Sequence, residues 1–160
     1  MNVNATNDNV LIAANYRFIA AGFLISARIL REHIEVDENS RPKKYRVLPL
    51  YYLASHIAEL YLKCALLKRG FSQKELNKYR YRHNLEALLG ELIKLNIPVS
   101  NRTCDVVRGL SEQHKVHLLR YPTVNEEGYL VLAKFWPNLN DVFEALDELL
   151  TTTAISTFGF

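Results

Sequence analysis

Glycine, proline, cysteine and methionine are all scarce in this 160-residue chain, at six, five, two and one residues. No G-x-x-x-x-G-K-[ST], G-x-G-x-x-G or G-x-S-x-G motif occurs, so nucleotide cradles and serine hydrolases have no support. The two cysteines, Cys64 and Cys104, form no C-x-x-C pair and sit in apolar, helix-like contexts. Small core residues of a reduced, intracellular protein are the simplest expectation for them. No His, Cys and carboxylate spacing resembles a metal site, so neither metal nor cofactor is expected. No basic leader with a cleavage site opens the chain, and no run of about 18 uncharged apolar residues occurs. The nearest, residues 10–30, is interrupted by Asn15, Arg17 and Arg28. The expectation is a soluble, cytoplasmic protein without a membrane contact.

Plentiful leucine and alanine, with 49% hydrophobic residues overall, favour helix and a single core. The chain is organised around Pro49 to Gly70. Its apolar residues (among them Leu50, Leu53, Ile57, Leu60, Leu62 and Leu66) cover most of a helix surface, so other helices must enclose it. Pro49 suits a first helical turn and Gly70 a C-terminal cap. One polar stripe interrupts the apolar surface: Tyr52, His56, Glu59 and Lys63, within about 60° of one another at 100° per residue. Glu59 is expected to be buried and bonded to Arg120, His83 or Lys63. His56 also reads as a core histidine, and His83 as a tether for the next helix.

Residues 1–9 are polar and Asn-rich, a disordered lead in which Asp8 or Asn9 could cap a helix over Val10–Glu35. Val36–Arg46 reads as a loop. Ser72-Gln73-Lys74-Glu75 is a capping box for a short helix to about Tyr79. Asn84 can cap an amphipathic helix carrying Leu85, Leu88, Leu89, Leu92 and Ile93. Ile97-Pro98 separates it from a helix running from Ser100 or Asn101 to about Leu119, stopped by Tyr121-Pro122. Tyr129–Leu132 could be a short extended piece. Pro137-Asn138 opens a last helix, and residues 151–160 form a Thr/Ser-rich tail. The fold class is all-α: one domain over residues 10–150, an up-and-down bundle of four long helices plus one short one.

Ser55-His56-Ile57-Ala58-Glu59-Leu60-Tyr61-Leu62-Lys63, then Gly70, then His83-Asn84-Leu85, then His114, His117 and Arg120-Tyr121-Pro122 form a string of short matches. With these the sequence resembles the HEPN superfamily of small helical-bundle proteins over about residues 10–150. The resemblance implies a metal-independent endoribonuclease whose R-x4-6-H motif is assembled across a homodimer. Here Arg108 and His114 stand as R-x5-H, with Glu59 as the supporting polar residue. The 2′-OH of RNA supplies the nucleophile, so such a site needs only a proton-transferring group and a cation for phosphorane charge. Six residues on a regular helix leave Arg108 and His114 about 120° apart, so distortion or a dimer mate must unite them. His114, His117 and Arg120 are better spaced and, with Tyr121, join the candidate polar network. Residue 116 is Val where a related pattern has Tyr, which weakens transfer of an adenylylated-tyrosine toxin mechanism. A defence or toxin–antitoxin role, and an antitoxin or neighbouring-gene partner, are what the resemblance implies.

Charge adds an independent signal. From Lys68 to Arg82 six cations face Glu75 alone, net +5, with Tyr79, Tyr81 and His83 interleaved. Lys78, Arg80 and Arg82 are candidate RNA contacts, with aromatic faces for stacking. From Asn125 onward six carboxylates face Lys134 alone, net −5. An RNA-facing surface, a head-to-tail contact and a plain solvated face all fit this distribution. The alternative function is a non-catalytic bundle that binds a partner protein or small ligand through the polar stripe.

Overall fold

A computed structural model describes residues 3–33, 48–115 and 138–155, with the side chains of 3–7, 113–115 and 154–155 outside that description. Six helices carry these residues: α1 (Val3–Glu32), α2 (Leu48–Lys68), α3 (Gln73–Leu76), α4 (Leu85–Lys94), α5 (Asn101–Lys115) and α6 (Leu139–Ile155). No strand occurs among the described residues, so the all-α expectation holds. Five helices reach ten residues or more and one has four, against the four long and one short expected. Tyr129–Leu132 and the loop before Leu48 lie outside the described residues.

Helix α2 packs on α1, α4, α5 and α6, so every other long helix touches it. Its run from Ile57 to Leu67 is buried without a break. That enclosure follows from its apolar circumference, since each uncovered stripe would leave Leu, Ile or Tyr in water. Enclosure also strands two hydroxyls: Ser55 Oγ and Tyr61 OH find no hydrogen-bond partner among the described residues. Burial pushes the Tyr61 phenol up to about 12.

The helix ends explain the path of the chain. After α2, Gly70 adopts φ +94°. The Gly70 N–H donates to the Leu67 carbonyl (3.0 Å) and the Phe71 N–H to that of Leu66 (3.1 Å), a Schellman closure. Asn96 performs the same turn after α4 at φ 53°, with the Ile97 N–H on the Leu92 carbonyl at 3.1 Å. Ser72 and Asn84 cap α3 and α4 by accepting from Glu75 N–H and Ala87 N–H, each at 3.2 Å. Helix α3 stops at Leu76, three residues short of the expectation.

Both ends of the chain depart from expectation. Helix α1 begins at Val3, so the polar lead of residues 1–9 is helical from there and neither Asp8 nor Asn9 caps it. No glycine or proline breaks residues 3–9. Asn9 Nδ2 donates to the Phe71 carbonyl (3.1 Å), tying this turn to the end of α2. Helix α6 runs to Ile155, five residues into the expected tail. The hydroxyls of Thr151, Thr152 and Thr153 donate back to the carbonyls of Asp147, Glu148 and Leu150, and Lys68 Nζ donates to the Thr153 carbonyl. Over Asp8–Glu32, α1 is also long and apolar enough to cross a membrane by length and composition. One of its faces is buried against α2: Ala13, Ala20, Leu24 and Ala27, with Phe23 against His56.

Helix α6 holds the start of α5. Glu148 accepts from Ser100 N–H and Ser100 Oγ, both at 2.6 Å, and from Thr103 Oγ1. Desolvation works against this carboxylate, but those hydrogen bonds prevail and hold it below its ordinary value of 4.5. A depressed carboxyl contributes stability that is present above its unfolded pKa and lost as pH falls through the folded one. Glu148→Gln is therefore expected to cost about 1 kcal/mol at neutral pH, on the scale of a helix cap and reduced by solvent screening. The gap in Tm between the two proteins should close as pH drops below 4.5; a gap that persists unchanged at pH 3 contradicts this account.

Candidate functional site

The polar stripe of α2 divides in two. Toward the N-terminal half, His56 packs its ring against Phe23, centroids 5.4 Å apart and tilted by 56°. Toward the C-terminal half, Glu59 is 3% exposed and is met by Lys63 and by two groups of His83. Lys63 Nζ donates to its Oε1 at 2.7 Å, one helical turn away on α2. The His83 N–H lies 3.4 Å from Oε1, and His83 Nδ1 lies 3.1 Å from Oε2. A carboxylate cannot be buried without such partners except at a cost of several kcal/mol.

His83 meets Glu59 through an unusual backbone. Its φ is 57°, a left-handed conformation disfavoured for a residue with a Cβ. Asn84 fixes the following residue: its side chain caps α4 and its Nδ2 donates to the Arg80 carbonyl at 3.2 Å. The chain between α3 and α4 thus turns sharply over α2 and presents both His83 N–H and His83 Nδ1 to one carboxylate.

Above this network lies an open cavity of about 440 Å³ lined by Lys63, Asn77, Arg82 and His83. With Glu59 counted, two obligate cations and a histidine face one carboxylate. An anionic group of phosphate size fits that balance, with Arg82 as a forked donor and Asn77 as a neutral one. Sequence reasoning had Lys63, Arg82 and His83 but not Asn77, whose position depends on where α3 ends.

Charges on the basic stretch and on α6 differ sharply in their commitments. Among the described residues, Arg69, Lys74, Lys78 and Arg82 make no ion pair. Tyr79 beside them is 96% exposed. Arg80 is partly engaged, pairing with Glu91 at 3.0 Å and lying 5.2 Å over the Tyr81 ring. Glu91 also receives Lys94 Nζ and Tyr81 OH, and the Lys94 hydrogen bond leads the effects holding its carboxyl below the ordinary value. The four described carboxylates of the acidic end are used within the fold: Asp141 and Glu144 pair with Arg102, Asp147 with Arg28, and Glu148 holds α5.

Arg108 lies elsewhere. It is exposed on α5, donates to Asp105 at 3.2 Å one turn back, and lines a separate open cavity of about 360 Å³ with Asp105, Gly109 and Glu112. Neither Glu59 nor His83 lines that cavity, and Arg108 and Glu59 share none of the cavities among the described residues. His114 is carried by the last turn of α5, its side chain outside the described residues. His117, Arg120 and Tyr121 also lie outside them. The largest described cavity, about 550 Å³, lies between α1 and α6, where Arg28, Arg31, Asn140 and Asp147 bond across it. Among the described residues no cluster of three or more His, Cys, Asp or Glu is placed to hold a metal ion. Comparison with family models, with curated proteins and with solved structures finds no match.

The Glu59 network makes a stability prediction. Glu59→Ala strands a Lys63 ammonium that is itself 7% exposed, so unfolding free energy should fall by about 3 kcal/mol. Adding Lys63→Met removes the stranded charge, and the double variant should recover part of that loss. Chemical denaturation of the three proteins measures both numbers; a single variant within about 0.5 kcal/mol of wild type contradicts a buried ion pair.

Proposed function

We propose that the protein is a HEPN-like helical bundle that acts on RNA, with a backbone phosphate seated in the cavity formed by Lys63, Asn77, Arg82 and His83. The observation that carries this reading is the asymmetry of charge commitment. The acidic residues of α6 are engaged within the fold, whereas Arg69, Lys74, Lys78 and Arg82 make no ion pair among the described residues, and Arg82 lines the cavity. Uncommitted cations beside the exposed ring of Tyr79 suit a polyanion with stackable bases. A head-to-tail contact between copies has less free acidic surface to use.

The cleavage chemistry we propose is the one the HEPN resemblance implies: 2′-OH attack with Arg108 stabilising charge and His114 moving the proton, completed by a second copy. A defence or toxin–antitoxin setting is the role such a nuclease fills. Arg82 and His83 then position the strand and do not cut it.

Two measurements test this. Chelator-treated protein incubated with mixed RNA should yield 2′,3′-cyclic phosphate ends, and Arg108→Ala or His114→Ala should abolish cutting without changing Tm. Lys78→Ala with Arg82→Ala should weaken RNA binding about tenfold and reduce the salt slope by about two, leaving cleavage at saturation intact. Binding without cleavage removes the nuclease and leaves an RNA-binding bundle; no salt-dependent RNA binding removes the RNA reading altogether.

A further inference from the structure

The cavity over the Glu59 network suits one kind of phosphate better than another. Asn77 and Arg82, both exposed, flank a tight turn: the N–H groups of Tyr81 and Arg82 donate to the Lys78 carbonyl, at 2.9 and 3.0 Å, so both ends of the turn line the same cavity. The lining also includes Lys63, only 7% exposed, on the core helix α2. The cavity therefore runs from an exposed turn down to a buried ammonium, and its volume of about 440 Å³ is that of a small-ligand pocket.

This lining is rich in donors. Lys63 Nζ carries three N–H groups, of which Glu59 takes one. Arg82 presents five in a planar fork and makes no ion pair among the described residues. Asn77 adds an amide, and among the described residues no carboxylate lines the cavity, since Glu59 lies behind Lys63 and His83. An internal phosphate of an RNA strand offers two free oxygens and one negative charge, and the sugars on both sides hold it at the surface. A terminal phosphomonoester offers three acceptor oxygens and nearly two charges, and its single ester bond lets it enter end-on. A donor as deep as Lys63 favours the second.

Tyr79 indicates what is attached to that phosphate. It stands two residues beyond Asn77 and three before Arg82, and it is 96% exposed. With consecutive Cα atoms 3.8 Å apart, its Cα lies within about 8 Å of that of Asn77, so its ring is within reach of a base joined to a phosphate in the cavity. An aromatic face there stacks a base, whereas inorganic phosphate or a simple sugar phosphate leaves it unused.

We propose that the cavity recognises the end of an RNA strand: a terminal phosphomonoester held by Lys63, Asn77 and Arg82, with the adjoining base on Tyr79. This inference rests on the RNA reading and narrows which phosphate of the strand the cavity prefers. It also places the protein in a reaction sequence. In the cleavage proposed above, the 2′-oxygen displaces the 5′-oxygen at phosphorus, and the 5′-oxygen leaves with a proton. The new ends are a cyclic diester and a 5′-hydroxyl, neither of them a phosphomonoester. The preferred strands must come from another class of reaction, in which water attacks phosphorus and leaves a monophosphate.

Competition against a labelled RNA measures the affinity of the full chain for one short sequence bearing a 5′-phosphate, a 3′-phosphate or hydroxyls at both ends. One of the two phosphates, and not the other, should tighten binding about tenfold, because the cavity and Tyr79 fix the order of phosphate and base. Arg82→Ala should erase that ratio and keep the wild-type circular dichroism, since its side chain is exposed. Lys74→Ala, at a cation that does not line the cavity, should weaken phosphorylated and hydroxyl-ended RNA alike and keep the ratio. Tyr79→Ala should weaken the phosphorylated RNA about tenfold and leave competition by inorganic phosphate unchanged. Adenosine 5′-monophosphate competing as well as the phosphorylated RNA assigns the cavity to a free nucleotide and overturns strand-end recognition. No gain from either phosphate, or an equal gain from both, as added charge alone would give, overturns it too. In those cases salt-dependent binding of the hydroxyl-ended RNA keeps the RNA reading, whereas no binding of any RNA removes both.

Discussion

The carboxylate of Glu59 is the constraint on which the rest of the site depends. It lies in the middle of the one helix that every other long helix touches, at a position from which water is excluded. Its negative charge is tolerable there only if donors surround it, and two come from different elements. Lys63 is supplied by the same helix one turn on. His83 must be delivered by the chain between α3 and α4, which accepts a left-handed residue to do so. Once that connection is fastened to α2, Arg82 and Asn77 are fixed at the rim of the cavity. The ion pair is weak evidence for net stability but strong evidence for geometry, because it specifies which way the connection folds.

A second organising effect is the internal use of acidic charge by α6. Asp141, Glu144, Asp147 and Glu148 face Arg102, Arg28 and the first turn of α5. A carboxylate at a helix N-terminus meets unpaired N–H groups and the positive end of the helix dipole, so Glu148 locks α5 from a neighbouring helix. A modest net charge of +3 therefore conceals an uneven use of charge, with Arg69, Lys74, Lys78 and Arg82 left without an ion pair among the described residues.

Much of the fold was legible in the sequence because its signals are local. Pro49 and Gly70 bracket α2 to within two residues, and Ser72 and Asn84 cap α3 and α4 as their side chains suggest. The burial of Glu59 follows from the apolar helix around it, with Lys63 one turn away and His83 among the named donors. The start of α1 at Val3 was hidden because Asn-rich segments read as caps and lead-ins, whereas Asn9 is held by the Phe71 carbonyl from the far side of α2. The extension of α6 was hidden likewise, since its threonines bond backward along the helix. Pairs such as Arg102 with Asp141 join residues far apart in the chain, and no local spacing announces them. The positive φ of His83 carries little sequence signal, because histidine adopts it in only a small share of cases, although more often than most residues with a Cβ.

The order of the helices along the chain has a consequence for how the protein is made. Helix α1 leaves the ribosome before the helix that covers its inner face, and α2 ends 36 residues after α1 does. At ordinary elongation rates that interval is roughly 2 to 7 seconds, during which α1 exposes apolar surface on opposite sides at once. A nascent chain in that condition is a substrate for whatever binds hydrophobic segments first: a chaperone, a membrane, or another nascent chain on the same message. The apolar residues that α1 leaves exposed in the fold, Leu11, Phe18, Ile25 and Ile29 among them, add to that surface.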